Sequence, residues 1–130
     1  MRGLLDSHVW LWMLHEPERL SSAARRTIED SETELWLSSA STWEMGIKLA
    51  LGKLRIPVPL LDLVGARLDR LGVAPLHVTH AHAIEASSLP LHHGDPFDRM
   101  LVAQARIEGL VLITADRRIE AYDVEVCRAD

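Results

Sequence analysis

The side chains of this sequence that could do chemistry are carboxylates. Asp6 follows the apolar Gly3-Leu4-Leu5 and precedes Ser7-His8, and Glu44 ends Ser41-Thr42-Trp43-Glu44. Asp95 and Asp98 frame Asp95-Pro96-Phe97-Asp98-Arg99-Met100-Leu101, and Asp116 stands in Thr114-Ala115-Asp116-Arg117-Arg118. Carboxylates held close together repel and raise one another's pKa. A divalent cation among them relieves that repulsion, and ligands that are all oxygen favour Mg2+ or Mn2+ over zinc. A cation held this way activates water for hydrolysis. The chemistry on offer is therefore metal-assisted hydrolysis, if the fold brings these acids together.

Each acid also has an ordinary structural use. Asp6 before a helix is a common N-cap, and alone that is its better reading. Asp95 followed by Pro96 is a cap with proline in the first turn, which accounts for Asp95. Ser41-x-x-Glu44 matches a capping box, and Glu44 lies four residues before Lys48, a stabilising helical pair. On spacing alone these uses outrank catalysis for Glu44. Asp116 suits a turn or cap. Asp98 differs, because Asp98, Leu101, Val102 and Ala105 share one helical face that is otherwise apolar and should pack on a sheet. A carboxylate at the mouth of a buried face is costly unless a cation or hydrogen bonds compensate it. Function is the better reading there.

The elements that must position these acids alternate between strand and helix. Arg2 to Asp6 reads as a strand entering a helix from Ser7 to His15, with a break at Glu16-Pro17-Glu18 and a second helix opened by Leu20-Ser21. Leu35 to Ser38 reads as a strand, and Ser41 to Leu51 as a helix ended by Gly52. Leu60, Leu61, Val64, Leu68 and Leu71 form a helical stripe closed by Gly72. Val73 to Val78 is a strand that Pro75 moves toward an edge, and a helix follows from His80 to Ser88. A helix from Asp95-Pro96 to Glu108 stops at Gly109, Leu110 to Ile113 is a buried strand, and Val124 to Cys127 is a last short one. This alternation implies an α/β fold with a parallel sheet and helices on both faces. Ligands in such sheets bind beyond the C-terminal strand ends, where Asp6, Thr114 and Asp116 fall.

Other chemistries are excluded. Of the seven histidines, His80 and His82 are two apart and diverge on a helix, while His92-His93 sits in a loop with no cysteine nearby, so a zinc site is rejected. There is no His-Glu-x-x-His, glycine-rich phosphate loop or Gly-x-Ser-x-Gly elbow. Trp10, Trp12, Trp36 and Trp43 read as core or groove-lining residues rather than base-stacking platforms. The 130 residues suit one domain, 1–130, and 48% apolar content supplies a core. A net charge of −5, from 19 acidic and 14 basic residues, argues against a broad basic surface for nucleic acid. It fits an acidic site that needs cations, or a basic partner. Cys127 is the single cysteine, so no internal disulfide forms and a reducing cytosol is expected. Asp6 interrupts the first apolar stretch, and Val9 to Leu14 is too short to span a bilayer, so a cytoplasmic protein is expected.

Taken together, these blocks resemble a known family. Leu4-Leu5-Asp6-Ser7-His8-Val9-Trp10-Leu11-Trp12 is similar to the opening of PIN-domain toxins of VapBC-type toxin–antitoxin modules. The likeness continues through Leu20-Ser21 to Ile28, Ser38-Ser39-Ala40-Ser41-Thr42-Trp43-Glu44 and Gly52-Lys53-Leu54. It is densest from His92-His93-Gly94-Asp95-Pro96-Phe97-Asp98-Arg99 to Ala105, with Ile113-Thr114-Ala115-Asp116 downstream. The resemblance implies a five-stranded parallel sheet flanked by helices and a Mg2+- or Mn2+-dependent endoribonuclease. It places catalytic and metal-binding roles on Asp6, Glu44, Asp98 and Asp116, with Ser7 and Thr114 supporting. It further implies an RNA substrate, a cognate antitoxin and a homodimer. The rival readings are a non-catalytic acidic module that recruits a basic protein, and a metal-dependent nuclease acting on DNA. The first gives no reason for Asp98 on an apolar face.

Overall fold

The computed structural model describes residues 1–130. Its centre is one five-stranded sheet in which every paired strand is parallel, in the order β3-β2-β1-β4-β5. The strands are β1 (Arg2–Leu5), β2 (Glu34–Ser38), β3 (Val73–Leu76), β4 (Val111–Thr114) and β5 (Val126–Arg128). The helices are α1 (Ser7–His15), α2 (Ser22–Glu29), α3 (Ser39–Ala50), α4 (Leu60–Leu71), α5 (His80–Ser88) and α6 (Pro96–Glu108). Two short 3-10 turns, Pro17–Arg19 and Arg117–Ala121, complete the chain. This is the α/β architecture that the alternation of the sequence implied, and Pro75 lies on the edge strand β3, where its missing N–H costs no ladder bond to a second neighbour.

Side-chain alternation along the strands builds a core on each face of the sheet. Leu5, Leu35, Leu37 and Ile113 face a cluster with Val9, Trp10, Met45 and Leu63 from α1, α3 and α4. Leu4 and Leu112, the neighbours of Leu5 and Ile113, face the opposite cluster with Leu101, Val102 and Ala105 of α6. The apolar face read for α6 is thus the buried one. Gly3 leaves room where β1 meets β4, since a Cβ there would stand 2.7 Å from Cδ1 of Ile113 and that side chain would have to shift.

The element boundaries differ from the sequence reading in informative places. Helix α3 starts at Ser39 rather than Ser41, because Ser38 ends β2 with extended backbone and its hydroxyl accepts the Ala40 N–H at 3.0 Å. Strand β3 ends at Leu76, and β4 and β5 each begin and end further along than expected. The Arg117–Ala121 turn carried no periodic signal, and Asp116 caps it by accepting the Arg118 N–H. No helix is long and apolar enough to cross a membrane.

The chain runs from β1 outward through β2 to β3, then returns to β4 on the other side of β1 and continues to β5. The order therefore reverses beside β1, and the crevice beyond the C-terminal ends of β1 and β4 is the switch point where such sheets bind ligands. Asp6 leaves β1 at this point, and Thr114 closes β4.

Candidate metal centre

A cavity of about 360 Å³ opens at the switch point, lined by Asp6, Glu44, Asp95, Asp98 and Asp116 together with Lys48 and Arg118. Acids separated by more than a hundred residues of chain therefore share one space. Five carboxylates face two permanent cations there.

Asp6 holds the N-cap position of α1, yet its side chain caps nothing. Its Oδ2 accepts the Thr114 hydroxyl over 2.6 Å, and its backbone N–H extends the β1–β4 ladder to the Ile113 carbonyl at 3.0 Å. The carboxylate is thus fixed by both central strands rather than by the helix it precedes. Thr114 also accepts the Asp116 N–H at 3.0 Å, so one hydroxyl links two acids of the cavity.

Glu44 corrects the capping-box reading. With α3 beginning at Ser39, Ser41 lies inside the helix, its hydroxyl buried without a partner. Glu44, itself buried, instead accepts the Ser7 hydroxyl of α1 at 2.7 Å. Its expected pair with Lys48 is present at 3.5 Å. Asp95, by contrast, is the cap it was read to be: its Oδ1 accepts the N–H groups of Phe97 and Asp98 at 2.8 and 3.4 Å.

Asp98 projects from the first turn of α6 into the cavity, its side chain 14% exposed. Its carboxyl is pushed up to about 8 by burial first, and then by repulsion from Asp6, Asp95, Glu44 and Asp116. Every other acid of the cavity contributes, which is the electrostatic signature of convergence. Asp116 moves the opposite way. Burial would raise its carboxyl, but hydrogen bonds from His93 and Arg118 outweigh it and hold it below the usual range.

His93 is the residue that spacing did not single out. It is buried, and its Nε2 lies 2.8 Å from Oδ2 of Asp116 and 3.2 Å from Oδ2 of Asp98. The Asp95 N–H donates to Nδ1 at 3.1 Å. With Nδ1 an acceptor, the proton sits on Nε2, which donates to Asp116 with Asp98 beside it. The loop carrying His93 is tied down by Arg99, whose guanidinium donates to the carbonyls of Ala86, Leu89 and Pro90 at 2.9 to 3.0 Å. Arg99 also reaches the Tyr122 hydroxyl at 3.2 Å, and that hydroxyl accepts the His93 N–H at 2.9 Å. The His-His-Gly-Asp-Pro-Phe-Asp-Arg block is therefore one mechanical unit: Asp95 starts the helix, Asp98 enters the cavity, and Arg99 clamps the loop that presents His93. The sequence signal was the position of His93 two residues before the Asp95 cap. Its partner Asp116 lies 23 residues on, which spacing cannot connect.

Ligand atoms of His93, Asp98 and Asp116 lie within 4.8 Å of one another, with Asp6 and Glu44 lining the same cavity. A donor set of carboxylate oxygens in which one acid holds its proton to about pH 8 fits a hard divalent cation. The Nε2–H tautomer offers a cation no lone pair, so His93 fits as a neighbour of the ligands. Trp43 is groove-lining rather than core: 68% exposed, it meets Phe97 edge-on at 5.5 Å and lines an apolar cavity with Pro96 and Met100.

The family model of the PIN domain matches residues 3–125. The chain is 34% identical over 120 residues to Ribonuclease VapC22 of Mycobacterium tuberculosis, covering 92% of this chain and 90% of the relative. It is 40% identical over 72 residues to Ribonuclease VapC16 of the same organism, covering 52% and 51%. Among solved structures, the fold is similar to VapBC2 from Rickettsia felis bound to a promoter DNA fragment, with TM-score 0.74, 12% identity and full coverage of both chains. It is also similar to a toxin–antitoxin complex from Klebsiella pneumoniae, with TM-score 0.67, 15% identity and 97% and 96% coverage. With the match running from β1 almost to β5 and the acids gathered at the switch point, the chain belongs to the PIN domain family.

Proposed function

We propose that this chain is a metal-dependent endoribonuclease and the toxin of a toxin–antitoxin module. The observation that carries the reading is the convergence of Asp6, Glu44, Asp98 and Asp116 on one cavity, where burial and the other acids push the Asp98 carboxyl up to about 8. The relative covering most of the chain is named a ribonuclease, which supports RNA as the substrate class. Asp6 and Asp98 would be the principal ligands of Mg2+ or Mn2+, with Glu44 and Asp116 completing the shell and orienting the attacking water. The bound cation supplies Lewis-acid stabilisation and a more acidic water.

The protein's own part is to hold these groups still. Thr114 fixes Asp6, Ser7 fixes Glu44, and His93 Nε2–H fixes Asp116 with Asp98 3.2 Å from the same nitrogen. None of these groups needs to reorganise as charge develops, which is where such sites gain their rate. A module of this type works in the cytosol, pairs with itself, and is silenced by an antitoxin. The antitoxin would bring a Lys or Arg toward Asp6 and Asp98 and lay apolar side chains against α1 and α4, where Leu61 is 81% exposed. The test is incubation of the purified chain with structured RNA and with DNA, in Mg2+, in Mn2+ and in EDTA. Cleavage of RNA that EDTA abolishes supports the proposal. Cleavage of DNA alone would favour the rival nuclease reading, and no cleavage of either would favour a binding module.

A further inference from the structure

A second concavity lies against the acidic cavity, between α1 and the segment after α3. The two share His8 and Trp12, so they form one continuous depression. Its charge is opposite to that of the chain. His8, His15, Arg19, Lys53 and Arg55 line it against a single acid, Glu16, although the whole molecule carries a net charge of −5. Glu16 is already paired to Arg19 at 3.2 Å, and Arg19 lies 5.8 Å over the Trp12 ring. Lys53 and Arg55 are exposed and belong to no ion pair.

The backbone holds Lys53 where it is. Gly52 has φ +71°, a left-handed conformation that a side chain would strain, and the Lys53 N–H donates to the Lys48 carbonyl at 2.9 Å. This turn places Lys53 on the rim of the groove and also on a shallow pocket shared with Glu44, Asp95 and Phe97. One unpaired ammonium thus stands between the groove and the carboxylates. A Gly-Lys-Leu turn after α3 has no evident structural need for an unpaired cation at this point.

We infer that this groove carries the sugar-phosphate backbone of a single RNA strand leading to the acidic cavity, with Lys53 and Arg55 binding phosphates. The inference rests on the ribonuclease reading and adds the path by which substrate arrives. An acidic centre repels a polyanion, so binding must come from cations placed beside it. Lys53 and Arg55 are the uncompensated cations of the contiguous groove. Binding at this point uses phosphate contacts that fix register without reading sequence. Trp12 lies partly exposed where the groove meets the cavity, packed on the core and with the Arg19 guanidinium over its ring, so it shapes the junction between the two.

The test measures binding apart from cleavage. Fluorescence anisotropy of a labelled single-stranded RNA 12-mer (a length of roughly one groove-and-cavity path) is followed in Mg2+ across a salt series. The protein is Asp98→Asn, alone and with Lys53→Ala/Arg55→Ala added. Arg26→Ala/Arg70→Ala, away from the groove, changes net charge equally. Loss of two phosphate contacts should flatten the slope of log K against log salt by about 1.4 and weaken binding on the order of tenfold at low salt. The control pair should leave the slope unchanged. With Asp98 restored, the groove variant should lose efficiency on the same RNA through KM. Melting curves establish that each variant is folded. If the wild type cleaves RNA while the groove variant binds like its parent, the groove inference fails alone, and the groove belongs to another partner, such as a protein segment. A chain that neither cleaves nor binds RNA overturns both readings.

Discussion

His93 Nε2 stands 2.8 Å from Oδ2 of Asp116, with its proton fixed in place by the Asp95 N–H on the far side of the ring. The histidine therefore orients the carboxylates from behind. His93→Ala should remove the imidazole N–H that lies between Asp98 and Asp116, leaving Asp116 held by Arg118 alone, and weaken Mn2+ binding on the order of 10- to 100-fold, the usual cost of losing an outer-shell partner. His93→Gln, whose amide N–H reaches about as far as Nε2–H, should restore most of the affinity. Titration of Mn2+ by calorimetry reads both variants. A glutamine variant as weak as the alanine one would mean that the imidazole itself is a ligand.

Glu44 separates capping from chemistry. Its carboxylate touches the Ser7 hydroxyl and Lys48, and Ser38 caps the helix. Glu44→Gln retains an acceptor for Ser7 at nearly the same volume, so its melting temperature should stay close to wild type. Its turnover should fall on the order of 100-fold. Unchanged turnover would remove Glu44 from the reacting shell.

The raised Asp98 carboxyl makes stability depend on pH. The folded, metal-free chain keeps this proton to about pH 8, whereas the unfolded chain releases it near the ordinary 3.8. The folded state binds the extra proton between these values, so the contribution is complete below about pH 4 and is lost as pH rises toward 8. The loss is roughly 1 kcal/mol per pH unit across that window. In EDTA, melting temperature should decline from pH 5 to 8, and Asp98→Asn should flatten the decline. Mg2+ should restore stability most strongly at the alkaline end, where it no longer competes with the proton. A flat profile in EDTA would contradict the crowding of acids around Asp98.

Arg99 should matter to the site without touching it. It holds three carbonyls at the end of α5 and the Tyr122 hydroxyl, and through that hydroxyl the backbone of His93. Arg99→Lys keeps the charge but loses the fork that satisfies several acceptors at once. A loss of about 1–3 kcal/mol is expected in chemical denaturation, together with faster hydrogen exchange at the His93 amide. Wild-type exchange at that amide would dissociate the clamp from the loop.

Much of the fold was legible in the sequence because its signals are local. The alternation around Leu4-Leu5 and Leu112-Ile113 gave the strands, Gly72 and Gly109 stopped helices in left-handed conformations, and Pro75 marked an edge. Asp98 was legible for the same reason, standing on a face whose other members are buried. The capping-box use of Glu44 failed because its Ser-x-x-Glu spacing satisfies a capping rule that Ser38, extended at the end of β2, had already met. His93 escaped because its partners come from α6 and from beyond β4, a meeting that the sheet order creates and linear spacing does not contain. The groove beside α1 was hidden by net charge, which averages Lys53 and Arg55 away against acids elsewhere.

The central claim is that Asp98 holds a divalent cation with which this chain cuts RNA. The most direct measurement pairs a thermal melt with a cleavage assay on the wild type and Asp98→Asn, each in Mg2+, Mn2+ and EDTA at pH 7.5. In the wild type, the cation should raise the melting temperature and permit RNA cleavage, and EDTA should remove both effects. Asp98→Asn should be folded and at least as stable in EDTA, because the amide folds without taking up the proton that Asp98 must bind at this pH. It should gain little from added cation and should not cut. Full cleavage by Asp98→Asn, or wild-type cleavage undiminished in EDTA, would contradict the account.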